Sequence, residues 1–187
     1  MQVTTYGVIL FLHITAAIVG FMLAGVLHAA LQSLARARTV GEARSWAAVV
    51  HRLDPLFPLV ALLLIGFGAW LIHLRDQRLS WSDGWILTSV ISLVVVEGIM
   101  GATVAQKSKR FVAAIHAAPD APLGPDLKAF TVDPMVWHMS HVASFGLLGV
   151  VFLMAAKPDG VWSPVVVVVA ALIGVAASIA QLRALNA

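Results

Sequence analysis

Residues 55–74 read PLFPLVALLLIGFGAWLIHL, a run without an aspartate, glutamate, lysine or arginine. A helix of about 20 apolar residues crosses the ~30 Å hydrocarbon core of a bilayer. Lipid offers no hydrogen bonds, so the backbone polar groups of such a segment must be satisfied within it, which favours a helix. Pro55 opens the run, where a missing backbone N–H costs little. We therefore expect a membrane-spanning helix here.

Four further apolar segments have a similar length, at approximately 6–31, 84–105, 135–156 and 162–182. The chain of 187 residues is 60% hydrophobic and 11% charged, about half the charge of a soluble domain. It contains no cysteine, which excludes disulfides and thiolate metal sites. The sequence predicts an all-α, polytopic membrane protein, a five-transmembrane-helix bundle formed by a single integral membrane domain over 1–187.

The basic residues are distributed unequally between the two ends of the predicted bundle. Nine lie after the first and third segments and in the C-terminal tail: Arg36, Arg38, Arg44, Arg52, Lys107, Lys109, Arg110, Lys128 and Arg183. The other end carries three: Arg75, Arg78 and Lys157. Basic loops stay in the cytoplasm. We expect a multi-pass protein of the cell inner (plasma) membrane, with its N-terminus outside and its C-terminus cytoplasmic.

The loops at the basic end differ in predicted structure. Thr39 to Glu42 read TVGE, a capping-box pattern, and an amphipathic segment follows. This predicts a short helix at approximately 40–53 on the inner membrane surface. Residues 118–126 read APDAPLGPD, a Pro-rich break typical of irregular structure. The net charge is +3. The basic residues lie in loops beside apolar segments, where they determine topology and contact lipid headgroups, so we expect no nucleic acid partner.

Histidines within the apolar segments are the first functional candidates. His13 and His28 are 15 residues apart, which on a helix is ~22 Å along the axis and ~60° around it. Ala17, Gly20 and Ala24 lie between them on roughly one face. Such small residues allow close helix packing and would equally leave room for a flat ligand. His13 is expected in the outer half and His28 near the inner boundary.

His138 and His141 share a face of the fourth segment at a depth similar to that of His28. His51 is also expected at this inner interface. Imidazoles that face one another inside a membrane suit axial ligation of haem, a proton relay, or a copper or zinc site. Hydrogen bonds to water or headgroups are the alternative for interfacial histidines. The metal-ligand candidates are His13, His28 and His141.

Glu97 lies near the middle of the third segment, in VVVEGIMG. A central carboxyl costs at least ~2.5 kcal/mol on insertion scales, so it should face the bundle and be protonated or paired. A hydrogen bond to a neighbouring helix would be an ordinary structural role. We take Glu97 equally as the candidate catalytic residue, handling a proton or contacting a ligand.

Three stretches resemble known small membrane proteins. The opening FLHITAAIVGFMLAG and the segment HRLDPLFPLVALLLIGFGAWLI resemble the first two helices of the CopD/HemJ-like group. GLLGVVFLMAAKP resembles the end of the fourth helix in a related uncharacterised family, domain of unknown function 2269. The resemblance covers roughly 5–158 and implies a four-helix core, to which the fifth segment adds one C-terminal helix. It also implies haem with tetrapyrrole oxidation, or copper handling, with His13 as the haem-ligand candidate.

The leading functional hypothesis is a haem-binding integral membrane protein that serves electron transfer or tetrapyrrole oxidation. Haem b is the expected cofactor, and the candidate ligands are His13, His28, His138 and His141. A metal-ion or solute transport component, copper-resistance-like, is the second hypothesis. The third is a structural membrane subunit without chemistry of its own. The expected partners are the lipid bilayer and a redox or other membrane protein.

Overall fold

The computed structural model describes residues 4–74 and 79–186. Within these ranges the chain forms eight α-helices: α1 (Thr5–Arg36), α2 (Val40–Leu53), α3 (Leu56–Leu74), α4 (Gly84–Ile99), α5 (Ala105–Ala117), α6 (Pro125–Thr131), α7 (Pro134–Ala156) and α8 (Trp162–Asn186). A π-helical segment, Met100–Val104, joins α4 to α5. Five stretches of helix in the described residues are long and apolar enough to cross a membrane. The all-α, five-helix prediction is confirmed.

Large apolar side chains cover the outside of the bundle. Phe11, Leu62 and Leu172 are each more than 60% exposed and lie on different spanning helices. A soluble protein rarely exposes so extended an apolar surface, whereas lipid is the natural solvent for it. The exposed surface therefore supports contact with a bilayer along the spanning helices.

The buried face of α1 is made largely of small residues. Ala16, Gly20 and Ala24 recur at helical spacing on it. A Cβ atom on Gly20 would lie 3.3 Å from Val60 of α3 and 3.5 Å from Leu147 of α7. Both helices therefore approach α1 closely. The structure places Ala16 on this face and leaves the expected Ala17 half-buried, because 3.6 residues per turn bring positions 13, 16, 20 and 24 into one stripe.

α8 packs along α7 through glycine. A Cβ atom on Gly174 of α8 would lie 2.9 Å from the carbonyl oxygen of His141 and 3.1 Å from Cα of Val142. On the other side of the contact, a Cβ atom on Gly149 would lie 3.0 Å from Cβ of Ala170. The backbones of the two helices approach too closely for a side chain at either glycine.

The helices outside the spanning segments cluster at one end of the bundle, called here the basic end because it carries the nine basic residues. The predicted capping box is present. Thr39 Oγ1 accepts from the Glu42 amide at 3.2 Å, and Glu42 Oε2 accepts from the Arg38 amide at 2.8 Å. The amphipathic helix α2 buries Ala43 and Ala47 in a cluster with α5.

The third predicted segment continues as helix well beyond position 105. Through the π-helical segment it passes into α5, which ends at Ala117. The polar sequence of α5 favoured a loop, but Phe111 and Ile115 bury one face of it, so tertiary packing decides. Residues 118–124 form the expected irregular break before α6 begins at Pro125. Arg75 and Arg78 lie outside the described residues.

Candidate functional site

A cavity of about 520 Å³ lies among α1, α3, α4 and α7. Its wall is mostly aliphatic, and Leu64, Leu93 and Leu147 are among its lining residues. At the basic end, polar side chains complete the lining: His51, Asp54, Lys107, Ser108, Lys109 and Asp133. Deeper in the membrane, Glu97 is the charged residue that lines it. We refer to this space as the Glu97 cavity.

Glu97 is half-buried near the end of α4. Among the described residues, no side chain or backbone group gives its carboxyl a hydrogen bond or an ion pair. Of the two expectations for Glu97, a protonated or a paired carboxyl, the pairing is therefore not made among these residues. An unpartnered polar group in a membrane interior is costly. The cavity beside Glu97 is the place where a partner for its carboxyl could be accommodated.

Besides Ser108 at the basic end, three serines share the lining of the cavity with Glu97, and each of the three donates its hydroxyl hydrogen to its own helix. Ser92 Oγ donates to the Thr88 carbonyl at 2.7 Å. Ser140 Oγ donates to Trp137 at 3.1 Å, and Ser144 Oγ to Ser140 at 3.0 Å. Their oxygens keep free lone pairs. In this arrangement the three hydroxyls are available to a ligand only as hydrogen-bond acceptors.

The π-helical segment begins three residues after Glu97. π-turns are rare and frequently occur at functional sites. Beyond this turn, Lys107 of α5 pairs with Asp133 at 2.5 Å, and Ser108 donates to Asp54 at 3.0 Å. The π-helical segment thus separates α4, which is apolar and carries Glu97, from α5, whose polar side chains form these contacts at the basic end.

His28 and His141 meet in a cleft formed by α1, α7 and α8. Their ring centroids are 4.5 Å apart at an interplanar angle of 78°. The Nδ1 atom of His28 lies 2.8 Å from the Ala24 carbonyl, and that of His141 lies 2.9 Å from the Trp137 carbonyl. Since a carbonyl only accepts, both Nδ1 atoms carry hydrogen in this arrangement. We call this space, with its lining residues Phe21, Gly25, Phe145 and Leu148, the histidine cleft.

The second nitrogen of His141 is also engaged, by a residue of α8. Its Nε2 atom lies 2.8 Å from the side-chain amide of Gln181. The neighbouring His138 has a partner on α8 as well, since its Nδ1 contacts Ser178 Oγ. Because Ser178 donates its own hydrogen to the Val175 carbonyl at 2.7 Å, His138 donates to Ser178. The inner histidines on α7 are thus both tied to α8.

His13 is separate from this group. It is 8% exposed and packs against Gly68 of α3, where a Cβ atom would lie 3.4 Å from its Cε1. Its Nδ1 atom is buried without a hydrogen-bond partner among the described residues. His13 is absent from the linings of the Glu97 cavity and the histidine cleft. The structure therefore brings His28 and His141 together and leaves His13 in a helix contact.

The remaining histidines are dispersed. His51 lines the Glu97 cavity at the basic end, whereas His73 and His116 are exposed. In residues 4–74 and 79–186, no three His, Cys, Asp or Glu side chains are grouped to hold a metal ion. The four inner histidines thus do not form one cluster in the part of the chain that is described.

Residues 7–158 match a protein family described as predicted integral membrane protein (DUF2269). The chain belongs to this family. The DUF2269 region contains all seven histidines and Glu97; it begins in the first turn of α1 and ends just after α7. Gln181 and Ser178 come from α8, which lies beyond it. Neither the curated proteins nor the solved structures contain a match to this chain.

Sequence reasoning missed the α8 partners of the histidines and the acceptor character of the cavity. Gln181 and Ser178 are polar residues in an apolar helix, and polar residues in spanning segments commonly bond across helices. The sequence therefore showed that both residues could bond across helices. It could not show that they pair with residues 40 positions earlier, because that pairing depends on the rotation of α8 about its axis.

Proposed function

We propose that this protein binds a small amphipathic molecule within the membrane, in the Glu97 cavity. The observation that carries the proposal is a carboxyl without a partner among the described residues, lining an apolar cavity of about 520 Å³. Ligand pockets are commonly about 300–1,000 Å³, largely apolar, with a few polar groups that orient the ligand. An ionisable residue inside a membrane segment is itself a functional candidate.

The cavity reaches from the membrane interior to the basic end. An amphipathic ligand could therefore place its apolar part against Leu64, Leu93 and Leu147, while its polar group meets Glu97. Burial of the apolar part provides the driving force, at about 25 cal/mol per Å². This proposal is compatible with the hypothesis of a solute transport component, because transport begins with such binding.

Filling the cavity should weaken binding without disturbing the bundle. Gly146 lines the cavity, and a Cβ atom there meets nothing within 4 Å. We expect Gly146→Leu to lower photolabelling of cavity peptides by a diazirine-bearing dodecanol about tenfold. The reason is that the probe would have to fit into space that the leucine side chain already fills, and such overpacking costs about 1–3 kcal/mol. The measurement is mass spectrometry of the labelled peptides from protein in lipid nanodiscs.

Gly66→Leu is the matched control. Gly66 is exposed on α3, has equally open space at its Cβ and does not line the cavity. Labelling of the cavity peptides in Gly66→Leu should equal their labelling in the unchanged protein. Equal labelling of the cavity peptides in both glycine variants would show that the probe does not occupy the cavity.

Haem b at the histidine cleft is a second candidate, and His28 is the residue that favours it. Its Nδ1–H bond to the Ala24 carbonyl leaves Nε2 as a free lone pair, the arrangement in which imidazole binds metal. Phe21, Phe145 and Leu148 supply apolar walls. His141 fits less well because both of its nitrogens are hydrogen-bonded. Bound haem would supply one-electron chemistry for electron transfer or tetrapyrrole oxidation.

Hemin titration tests this candidate. If His28 holds the iron, purified protein should develop a sharp Soret band, and His28→Ala should lose it. His13→Ala should retain it, because His13 lies outside the cleft. His141→Ala should also retain it. Unchanged spectra in all three variants would exclude the hypothesis that haem binds at the histidine cleft. Failure of both the hemin and the dodecanol experiments would leave the structural-subunit hypothesis.

We also propose that the basic end faces the cytoplasm in the cell inner (plasma) membrane. The nine basic residues of this end are all among the described residues, whereas Lys157 is the described basic residue of the other end. Loops rich in lysine and arginine are retained on the cytoplasmic side. With this orientation the N-terminus is outside, the C-terminus is cytoplasmic and the Glu97 cavity reaches the cytoplasmic side.

A further inference from the structure

We infer that the Glu97 cavity selects an amphipathic organic cation, a lipophilic amine whose ammonium group donates hydrogen bonds to Glu97. This inference rests on the proposed function and names the chemical class of its ligand. The reasons are the hydrogen-bonding character of the lining, the distribution of its charges and the apolar wall.

With Glu97 ionised, as it would be in an ion pair with a ligand, the deep lining offers acceptors and lacks free donors. An ionised carboxylate accepts at both oxygens and donates at neither. The hydroxyl hydrogens of Ser92, Ser140 and Ser144 are already directed to backbone carbonyls at 2.7–3.1 Å. A ligand that only accepts would place oxygen against oxygen and leave both partners unsatisfied. A ligand with N–H donors satisfies Glu97 and has serine oxygens within the same lining.

The charges of the lining point to the same class. Lys107 and Lys109 are its lysines, and Lys107 is already paired with Asp133. Lys107 is ten residues beyond Glu97 in the same helical run, ~15 Å along the axis. At the depth of Glu97 the described lining thus contains no positive charge. Because a buried charge requires a close counter-charge, a cationic ligand supplies what the protein does not.

The walls of the cavity determine the rest of the ligand. Val96, Leu93 and Leu147 are among the aliphatic residues that line the cavity together with Glu97. A compact inorganic cation would leave this apolar surface unused, and the described residues do not group three metal-binding side chains. An alkyl or aryl body attached to the ammonium group fills the space. An anionic amphiphile such as a fatty acid would bring its carboxylate against Glu97 and is disfavoured.

The test compares three dodecyl diazirine probes that differ only in their polar end: an amine, an alcohol and a carboxylic acid. In nanodiscs, the amine should label cavity peptides of α4 and α7 about tenfold more than the alcohol, because hydrogen bonds between charged groups are stronger than those of a neutral hydroxyl. The acid should label them least. In Glu97→Gln the amine should fall to the level of the alcohol, whereas alcohol labelling should persist.

Asp126→Asn is the matched control, because it makes the same change at an exposed carboxyl that does not line the cavity. The amine preference should persist in it. Equal labelling by amine and alcohol in the unchanged protein, or an amine preference that survives Glu97→Gln, would overturn the inference while leaving amphiphile binding intact. Absence of cavity labelling by the alcohol as well would instead overturn the proposed function.

A competition experiment avoids dependence on the folding of Glu97→Gln. Unlabelled dodecylamine should displace the amine probe from the unchanged protein more effectively than dodecyltrimethylammonium does, because the latter carries the charge but no N–H donor. Equal displacement would contradict a role for hydrogen bonding to Glu97.

Discussion

Gly174→Ala is expected to lower the stability of the bundle by about 1–3 kcal/mol, the usual cost of forcing extra atoms into a packed contact. The added Cβ atom would lie 2.9 Å from the carbonyl oxygen of His141. That neighbour is backbone and cannot rotate away, so α7 and α8 must separate. Unfolding of the purified protein in mixed detergent micelles, followed by circular dichroism, measures the loss.

Gly66→Ala provides the comparison, because Gly66 also lies in a spanning helix and a Cβ atom there meets nothing within 4 Å. Its stability should equal or slightly exceed that of the unchanged protein, since alanine favours helix over glycine. If Gly174→Ala were as stable as Gly66→Ala, the close approach of α7 and α8 would not contribute to the stability of the bundle.

Two single-cysteine variants should label from opposite sides of the membrane. The chain contains no cysteine, so the introduced thiol is unique in each variant. Ser82 is exposed before α4, and His116 is exposed on α5 at the basic end. In intact spheroplasts, an impermeant maleimide should react with Ser82→Cys and leave His116→Cys unmodified, an all-or-none difference.

Permeabilisation should make His116→Cys reactive to the same extent, which controls for local accessibility. The reverse pattern, with His116→Cys labelled from outside, would invert the orientation. The Glu97 cavity would then reach the outer side instead of the cytoplasm, and an amine ligand would be drawn from the external leaflet.

The number and approximate positions of the spanning helices could be predicted because lipid imposes strong local constraints. A run such as 55–74 has no alternative to a helix in hydrocarbon, and α3 is found at Leu56–Leu74. The cap of α2 was likewise local, since Thr39 and Glu42 bond within one turn. The continuation into α5 was missed because it depends on packing of Phe111 and Ile115 against α2.

The candidate site was predictable in part. Glu97 was identified from its depth, and His28 with His141 from their similar positions across the membrane. His13 was placed on roughly one face with His28 by helical spacing and named a haem-ligand candidate by resemblance, yet its ring faces Gly68 of α3. Sequence spacing places residues along a helix but gives only an approximate rotation, and an error of one residue, about 100°, decides which helix a side chain meets. The cavity itself is a property of how four helices are spaced.

The contact between His141 and Gln181 has a consequence for acid tolerance. A side-chain amide can either donate or accept, depending on which way it is turned. Neutral His141 would accept from the amide nitrogen, and the imidazolium would donate to the amide oxygen. His138 donates to Ser178 in either charge state, because the serine hydrogen is committed to Val175. The two polar contacts between α7 and α8 can therefore persist whether these imidazoles are neutral or positively charged.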